Sequence, residues 1–452
     1  MIITRFTWFA AVVVIAHFGG VALSAAEWEL VTPDSYPGLD LALAQDEPVA
    51  KADTMAWRIL RDDESVADGT ATVEAGTKTL VIPAAALPPG PYTLELNSVP
   101  IHFRKVDSPL RFANRRWIVN GEEFFPIGLY LPWPNERDGV IIPEQSAEQA
   151  MRDLPAIAAA GFNAVTVSAP EFYRIKAEQL LDRAAELGLQ AFCAAPPDLY
   201  GRLGQRHGNI LGWLGPDEPE INPDGANFTP EKMRSDYAFR KQFPDALPIL
   251  MNHSRPAAFD AYRQCRDFAM TDPYTFGRDY HDITRVLHFV REQRRSMSEA
   301  LPCVVILQIF KLPEGVMRLP TATEMRAQVF LAAALGVDGI YLYSTATPET
   351  PGWHLLHSPD SAALWAALPA IWSDLRPMLP VYRRTPKATS QPGDDAESRL
   401  VFWRLDHDGG REILTVINLA DSEVDLTGLL LPFSGKIPEK LGPVEVAIVE
   451  SK

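Results

Sequence analysis

The stretch Gly161-Phe162-Asn163-Ala164-Val165-Thr166-Val167 decides the fold. It follows an amphipathic run from Ala147 to Ala160, and reads as a helix stopped by glycine and led straight into a buried strand. The same phrase returns at Glu186-Leu187-Gly188-Leu189-Gln190 and at Ala334-Leu335-Gly336-Val337-Asp338-Gly339-Ile340. A helix-to-strand unit that recurs along the chain argues for βαβ units and a parallel sheet. Apolar strand-like runs fall at Phe124 to Leu131, Ala164 to Ser168, Gln190 to Ala194, Ile210 to Gly215, Pro248 to Asn252, Phe268 to Thr271, Val304 to Ile309 and Gly339 to Tyr343. Alternating with helical stretches, they predict an α/β fold: a closed (β/α)8 barrel over residues 109–376.

On either side the pattern changes to short alternating runs broken by turns. Thr79-Leu80-Val81-Ile82-Pro83 and Leu87-Pro88-Pro89-Gly90-Pro91-Tyr92-Thr93-Leu94-Glu95-Leu96 predict an N-terminal β-sandwich over residues 27–108, and the latter resembles the late hairpin of fibronectin-type or immunoglobulin-like modules. Arg399 to Arg404, Glu412 to Asn418 and Val444 to Val449 predict a C-terminal β-sandwich over residues 377–452. A chain of 452 residues has room for a barrel of about 250 residues and both modules. Residues 1–26 read as an export signal, with Arg5 as the positive start, an apolar core from Phe6 to Ile15, and small residues around Ala22-Leu23-Ser24-Ala25-Ala26 for cleavage; a retained anchor is the alternative. No later segment is expected to enter a membrane, so the mature chain is expected in the periplasm or outside the cell. The formal charge of −16 disfavours binding to nucleic acid phosphates. Cys193, Cys265 and Cys303 read as structural thiols. No Cys/His spacing suggests zinc and no glycine-rich loop suggests a phosphate cradle, so neither metal nor cofactor is expected.

In such a barrel the chemistry sits where strands end at their carboxyl side. The densest polar set follows the fourth strand, in Leu211-Gly212-Trp213-Leu214-Gly215-Pro216-Asp217-Glu218-Pro219-Glu220. A carboxyl group held rigidly and partly desolvated can stay protonated until it donates, so Glu218, with Asp217 beside it, is the leading candidate for acid/base work. A charged surface loop opening a helix is the competing reading. Thr271-Asp272-Pro273-Tyr274 follows the sixth strand. Asp272 is either a second catalytic carboxylate, which would suit an inverting reaction if it stood roughly 6.5 to 9.5 Å from Glu218, or a turn residue capping the loop before Pro273. Tyr274 is a candidate to orient a carboxylate. Tyr130, Trp133, Trp213, Tyr343 and Trp353 are candidate stacking platforms for a sugar ring, and Glu171, Asn252, His253 and Ser254 candidate hydroxyl partners. Arg326 is expected to anchor the seventh helix through a salt bridge.

The order of these motifs resembles the clan A glycoside hydrolases, especially family 42 and related β-galactosidase-like TIM barrels, across about Arg111 to Asp374. The phrase Trp117-Ile118-Val119-Asn120-Gly121-Glu122-Glu123-Phe124-Phe125-Pro126-Ile127-Gly128-Leu129-Tyr130 looks like the segment leading into their first barrel strand. The resemblance places the acid/base glutamate on Glu218, although Asp217 stands where Asn is usual. It places Gln308, in Val304-Val305-Ile306-Leu307-Gln308-Ile309-Phe310, where the clan carries its nucleophilic glutamate. An amide cannot form the glycosyl ester, which leaves Gln308 as a substrate contact and Glu314 as a substitute only if it swings in from its loop. The expected function is an exported enzyme cleaving an O-glycosidic bond of an oligo- or polysaccharide, the alternative a noncatalytic glycan-binding protein on the same barrel.

Overall fold

The computed structural model describes residues 28–131, 136–137, 140–141, 143–168, 174–221, 228–243, 247–277, 282–346, 353–390, 401–408, 410–427 and 432–451. The expected export signal, Trp133 and Glu171 lie outside them, as does the side chain of Glu314.

Eight parallel strands close into a barrel: β1 (Ile127–Tyr130), β2 (Ala164–Ser168), β3 (Gln190–Ala194), β4 (Ile210–Asp217), β5 (Ile249–His253), β6 (Phe268–Thr271), β7 (Cys303–Gln308) and β8 (Gly339–Tyr343). Ile127 of β1 registers with Ile340 of β8, which completes the ring. The strands are buried along nearly their whole length because side chains fill the interior and helices cover the outside, so they read as continuous apolar runs. Gly128 marks how tightly the interior is filled: a Cβ there would come within 2.1 Å of the Tyr341 ring. The helices are α1 (Pro143–Ala159), α2 (Arg174–Glu186), α3 (Tyr200–Arg206), α4 (Pro230–Arg240), α5 (Ala258–Ala261), α6 (Thr284–Met297), α7 (Ala322–Ala334) and α8 (Ala362–Leu375). Arg326 of α7 pairs with Asp374 of α8 at 2.5 Å.

The recurring helix-to-strand phrase has one physical cause. Gly161, Gly188 and Gly336 take φ of +90°, +73° and +78°, a left-handed conformation that side chains disfavour. Each ends its helix in the same paired bonds. Gly161 N–H donates to Ala158 O and Phe162 N–H to Ile157 O; Gly188 to Ala185 and Leu189 to Ala184; Gly336 to Ala333 and Val337 to Ala332. These satisfy the last helical carbonyls and turn the chain back into the sheet within two residues.

The segment before β1 departs from the expected strand Phe124 to Leu131. Phe124 belongs to a separate antiparallel sheet (Arg111–Ala113, Arg116–Val119, Glu122–Phe124), and Pro126, which has no N–H to donate, separates it from β1. This sheet closes the end of the barrel where the strands begin. Trp117 is its plug, fully buried with ring centroids 6.0 Å from Phe192 and 6.2 Å from Phe268.

Both flanks are β-rich. In the N-terminal flank, a three-stranded sheet (Glu29–Leu30, Leu41–Ala44, Thr79–Ile82) and a five-stranded one face each other over Trp28, Met55, Trp57, Leu80, Tyr92 and Phe103. In the C-terminal flank an antiparallel sheet runs through Ala388–Thr389, Val401–Asp408, Arg411–Asn418 and Val446–Glu450. It is fastened to the barrel by Arg404, which donates to Ala334 O at the end of α7, and by the 2.7 Å bond between the Tyr382 and Thr415 hydroxyls. All three cysteines are buried. Among the described residues no helix is long and apolar enough to cross a membrane.

Candidate active site

The carboxyl ends of β4, β5 and β6 bring three acidic side chains together. Pro216 and Pro219 bracket the end of β4, and neither can donate to the sheet, so the β4–β5 pairing shifts register between Leu214 and Asp217. Beyond that shift Glu218 takes a left-handed φ of +43°, a conformation that costs a non-glycine residue about 1 kcal/mol and is retained where surrounding bonds enforce it. One such bond is Glu218 N–H to Asn252 O at 3.2 Å.

Asn252, at the end of β5, holds two of the acids. Its amide donates to Asp217 Oδ1 and to Asp272 Oδ2, both at 3.0 Å. Asp272 is 2% exposed and stands beside Glu218. Two carboxylates this close repel, which favours protonation of the buried one. Burial first, then the Glu218 charge and hydrogen bond and the Asp217 charge, push the Asp272 carboxyl well above the ordinary range, against the Asn252 bond. Burial and the Glu218 charge likewise push Asp217 up to about 6, with Asn252 opposing and Glu220 adding to the rise. Asp217 keeps contact with solvent at the mouth even though protein surrounds it closely. An inverting reaction through this pair would need a gap of roughly 6.5 to 9.5 Å between the two carboxyl groups, and the closeness of Asp272 to Glu218 does not suit it.

Aromatic rings wall this cluster. Tyr343 lies 5.5 Å from Tyr130, 6.1 Å from Tyr274 and 5.4 Å from Phe310, centroid to centroid. Burial and then the nearby acids raise both phenols well above their usual range, Asp217 first for Tyr130 and Asp272 first for Tyr274. These tyrosines therefore remain neutral donors, apolar on their faces and polar at their tips.

Several expected contacts have other tasks. Gln308 is 0% exposed: its carbonyl accepts from Thr275 N and Phe276 N at 3.0 and 2.9 Å, and its amide nitrogen donates to Phe276 O, Phe310 O and Arg318 O at 3.1, 3.4 and 2.8 Å. With its hydrogen-bonding capacity filled by backbone, it pins the loops after β6 and β7 together and has nothing left for a substrate. Trp213 is 0% exposed and stacked on Tyr200 at 4.4 Å, so it is core and not a platform. His253 is fully buried, its Nδ1 at 3.0 Å from Glu220 Oε2, and burial followed by the Arg266 charge lowers its pKa to about 4. Trp353 is also buried, so its faces are packed against protein.

Sequence reasoning passed over Glu220 and Phe310. Glu220 accepts from the backbone N–H groups of Ser254 and Arg255 at 2.7 and 3.1 Å and so fastens the start of the loop after β5. Burial works to raise its pKa, yet the His253 contact and these backbone bonds hold it below the usual range. Its place in Asp217-Glu218-Pro219-Glu220 was a signal of polarity, not of which loop it would reach. Phe310 stands two residues past Gln308, on the parity that brings a side chain to the same mouth.

The fold and site define a (β/α)8-barrel protein with a cluster of three carboxyl groups at its carboxyl-terminal mouth. No family model and no curated protein matches the chain. Among solved structures it is similar to a protein of Bacteroides fragilis provisionally assigned as a β-galactosidase, with 13% identity, 94% of this chain and 73% of that one covered, and a TM-score of 0.41. It is also similar to the β-glucuronidase of Ruminococcus gnavus (14% identity, 76% and 68% covered, TM-score 0.41) and to that of Faecalibacterium prausnitzii (13%, 77% and 65%, 0.42). These likenesses are too distant to bear on the reaction, which must be read from this chain's own side chains.

Proposed function

We propose that this protein is a glycoside hydrolase of the clan A type, with a family 42-like barrel, cleaving an O-glycosidic bond of an oligo- or polysaccharide outside the cytoplasm. The reading rests on one observation: Glu218, Asp272 and Asp217 converge on one barrel mouth, where Asn252 binds Asp217 and Asp272 and burial pushes the Asp272 carboxyl up. Glycosidic bond cleavage needs a carboxylic acid that stays protonated near neutral pH and a second carboxylate beside it. Asp272 is the acid in this reading and Glu218 its partner, the reverse of what the strand order alone suggests for Glu218. Substrate entry parts the pair, placing the glycosidic oxygen against Asp272. Asn252 holds Asp272 in place, while Tyr274 and Tyr343, backed by the buried Tyr130, face the sugar.

The test is product release from a panel of oligosaccharides and polysaccharides by the mature chain, Asp272→Asn and Glu218→Gln. Each substitution should lower release by a hundredfold or more, on the order of what a positioned acid or base supplies, while retaining ligand binding. Release that persists in both variants places catalysis elsewhere. Binding without release from any of the three chains favours the glycan-binding alternative.

A further inference from the structure

A second polar cluster shares no residue with the carboxyl cluster. Asp153, on α1, faces His354 and His357, which stand in the segment leading from β8 to α8. The carboxylate and imidazole atoms that these three residues offer all lie within 4.8 Å of one another. His357 Nε2 is 2.8 Å from Asp153 Oδ1, and His354 Nε2 is 3.2 Å from Asp153 Oδ2. Asp153 is buried, and its Oδ2 has no well-aligned hydrogen bond despite that approach.

Gln149 sharpens the reading. Its Oε1 accepts from Arg152 at 2.9 Å, which fixes its amide, so that its Nε2 points at both Asp153 Oδ1 and His357 Nε2, each 2.8 Å away. Asp153 is the shared acceptor of this cluster, and a divalent cation set among its carboxylate and the two imidazoles would take the place of those contacts. Two imidazoles and one carboxylate are a donor set that suits zinc, and bonds of about 2.0–2.2 Å require donor atoms about 3.4 Å apart, within a fraction of an ångström of the two close pairs here.

We propose that Asp153, His354 and His357 form a site for a divalent transition metal of the zinc class, stapling α1 to the segment between β8 and α8. The site is independent of the carboxyl cluster and of the reaction assigned to it. His354 Nδ1 accepts from Leu356 N–H at 3.2 Å, which puts the ring proton of neutral His354 on Nε2. Metal binding at Nε2 therefore moves that proton to Nδ1 and breaks the Leu356 contact, with no net release of a proton from the neutral ring. The His354-x-x-His357 spacing carries no signature by itself, because the third ligand comes from 204 positions away in the chain.

The experiment is calorimetric and thermal titration of the full chain, stripped with EDTA, with Zn2+ near neutral pH. One Zn2+ per chain is expected, with a saturable binding heat and a rise in the thermal midpoint of about 5 °C or more. His357→Ala removes a ligand whose side chain is 53% exposed, so the fold should be kept, as circular dichroism would show. It should weaken binding by roughly a hundredfold and abolish the thermal shift. The proposal is overturned by absence of saturable binding in the natural chain, by binding without a thermal shift, or by the same binding and shift in His357→Ala, which would put the metal elsewhere.

Discussion

Replacing Gln308 by glutamate inserts the carboxylate that the family resemblance would have wanted, and the structure predicts damage instead of activity. The side chain would still accept from Thr275 N and Phe276 N, but it would face Phe276 O, Phe310 O and Arg318 O without the amide hydrogens that now bind them. A protonated glutamic acid has one donor hydrogen where the amide has two, so one donated bond is lost at about 1 kcal/mol. Keeping it protonated adds a term that grows with pH, because the folded state binds a proton that the unfolded chain releases at about pH 4.3. The added cost is about 1 kcal/mol near pH 5 and up to about 5 kcal/mol near pH 8. Gln308→Glu should therefore be less stable than the natural chain at both pH values, with a gap that widens as pH rises. Urea unfolding followed by the helical circular dichroism of the barrel measures this directly. An equal loss of stability at the two pH values, or a tenfold gain in sugar release, would refute the account of Gln308 as a buried clamp.

Three further outcomes follow from the same geometry. Asp217→Asn should stabilise the protein by about 1 kcal/mol near pH 8, after discounting for solvent access, and by nothing near pH 3. Its raised pKa penalises the folded state only as pH rises through the window between 3.8 and about 6, and thermal midpoints across that window measure it. Glu220→Ala should cost about 2 kcal/mol by freeing the Ser254 and Arg255 N–H groups. Because the folded pKa of Glu220 is depressed, that difference should fade as pH falls through it, and amide hydrogen exchange should show faster opening at the start of the loop after β5. Trp213→Ala should cost about 3–5 kcal/mol as a core cavity, yet leave the KM of the folded fraction unchanged, which steady-state kinetics on any substrate identified would check.

The barrel was legible because its signals are local. Gly161, Gly188 and Gly336 each end a helix through conformational freedom that only glycine has, and the strands are apolar throughout because both faces are covered, so the alternation of elements survives in one dimension. The place of the candidate site was also legible, since strand ends were enough to nominate Asp217, Glu218, Asp272, Asn252 and the tyrosines Tyr130, Tyr274 and Tyr343 as neighbours at one mouth. What each residue does there was not. Gln308 and Trp213 end up walled into the core by groups scattered along the chain, His253 is tied to Glu220 across two strands, and the Asp272 carboxyl is pushed up by burial that the sequence does not reveal. The meeting of Asp153 with His354 and His357 had no trace in the sequence at all. Local conformation is written in neighbouring residues, whereas burial, charge interactions and ligand geometry depend on distances between residues far apart in the chain, and only the closed barrel sets those distances.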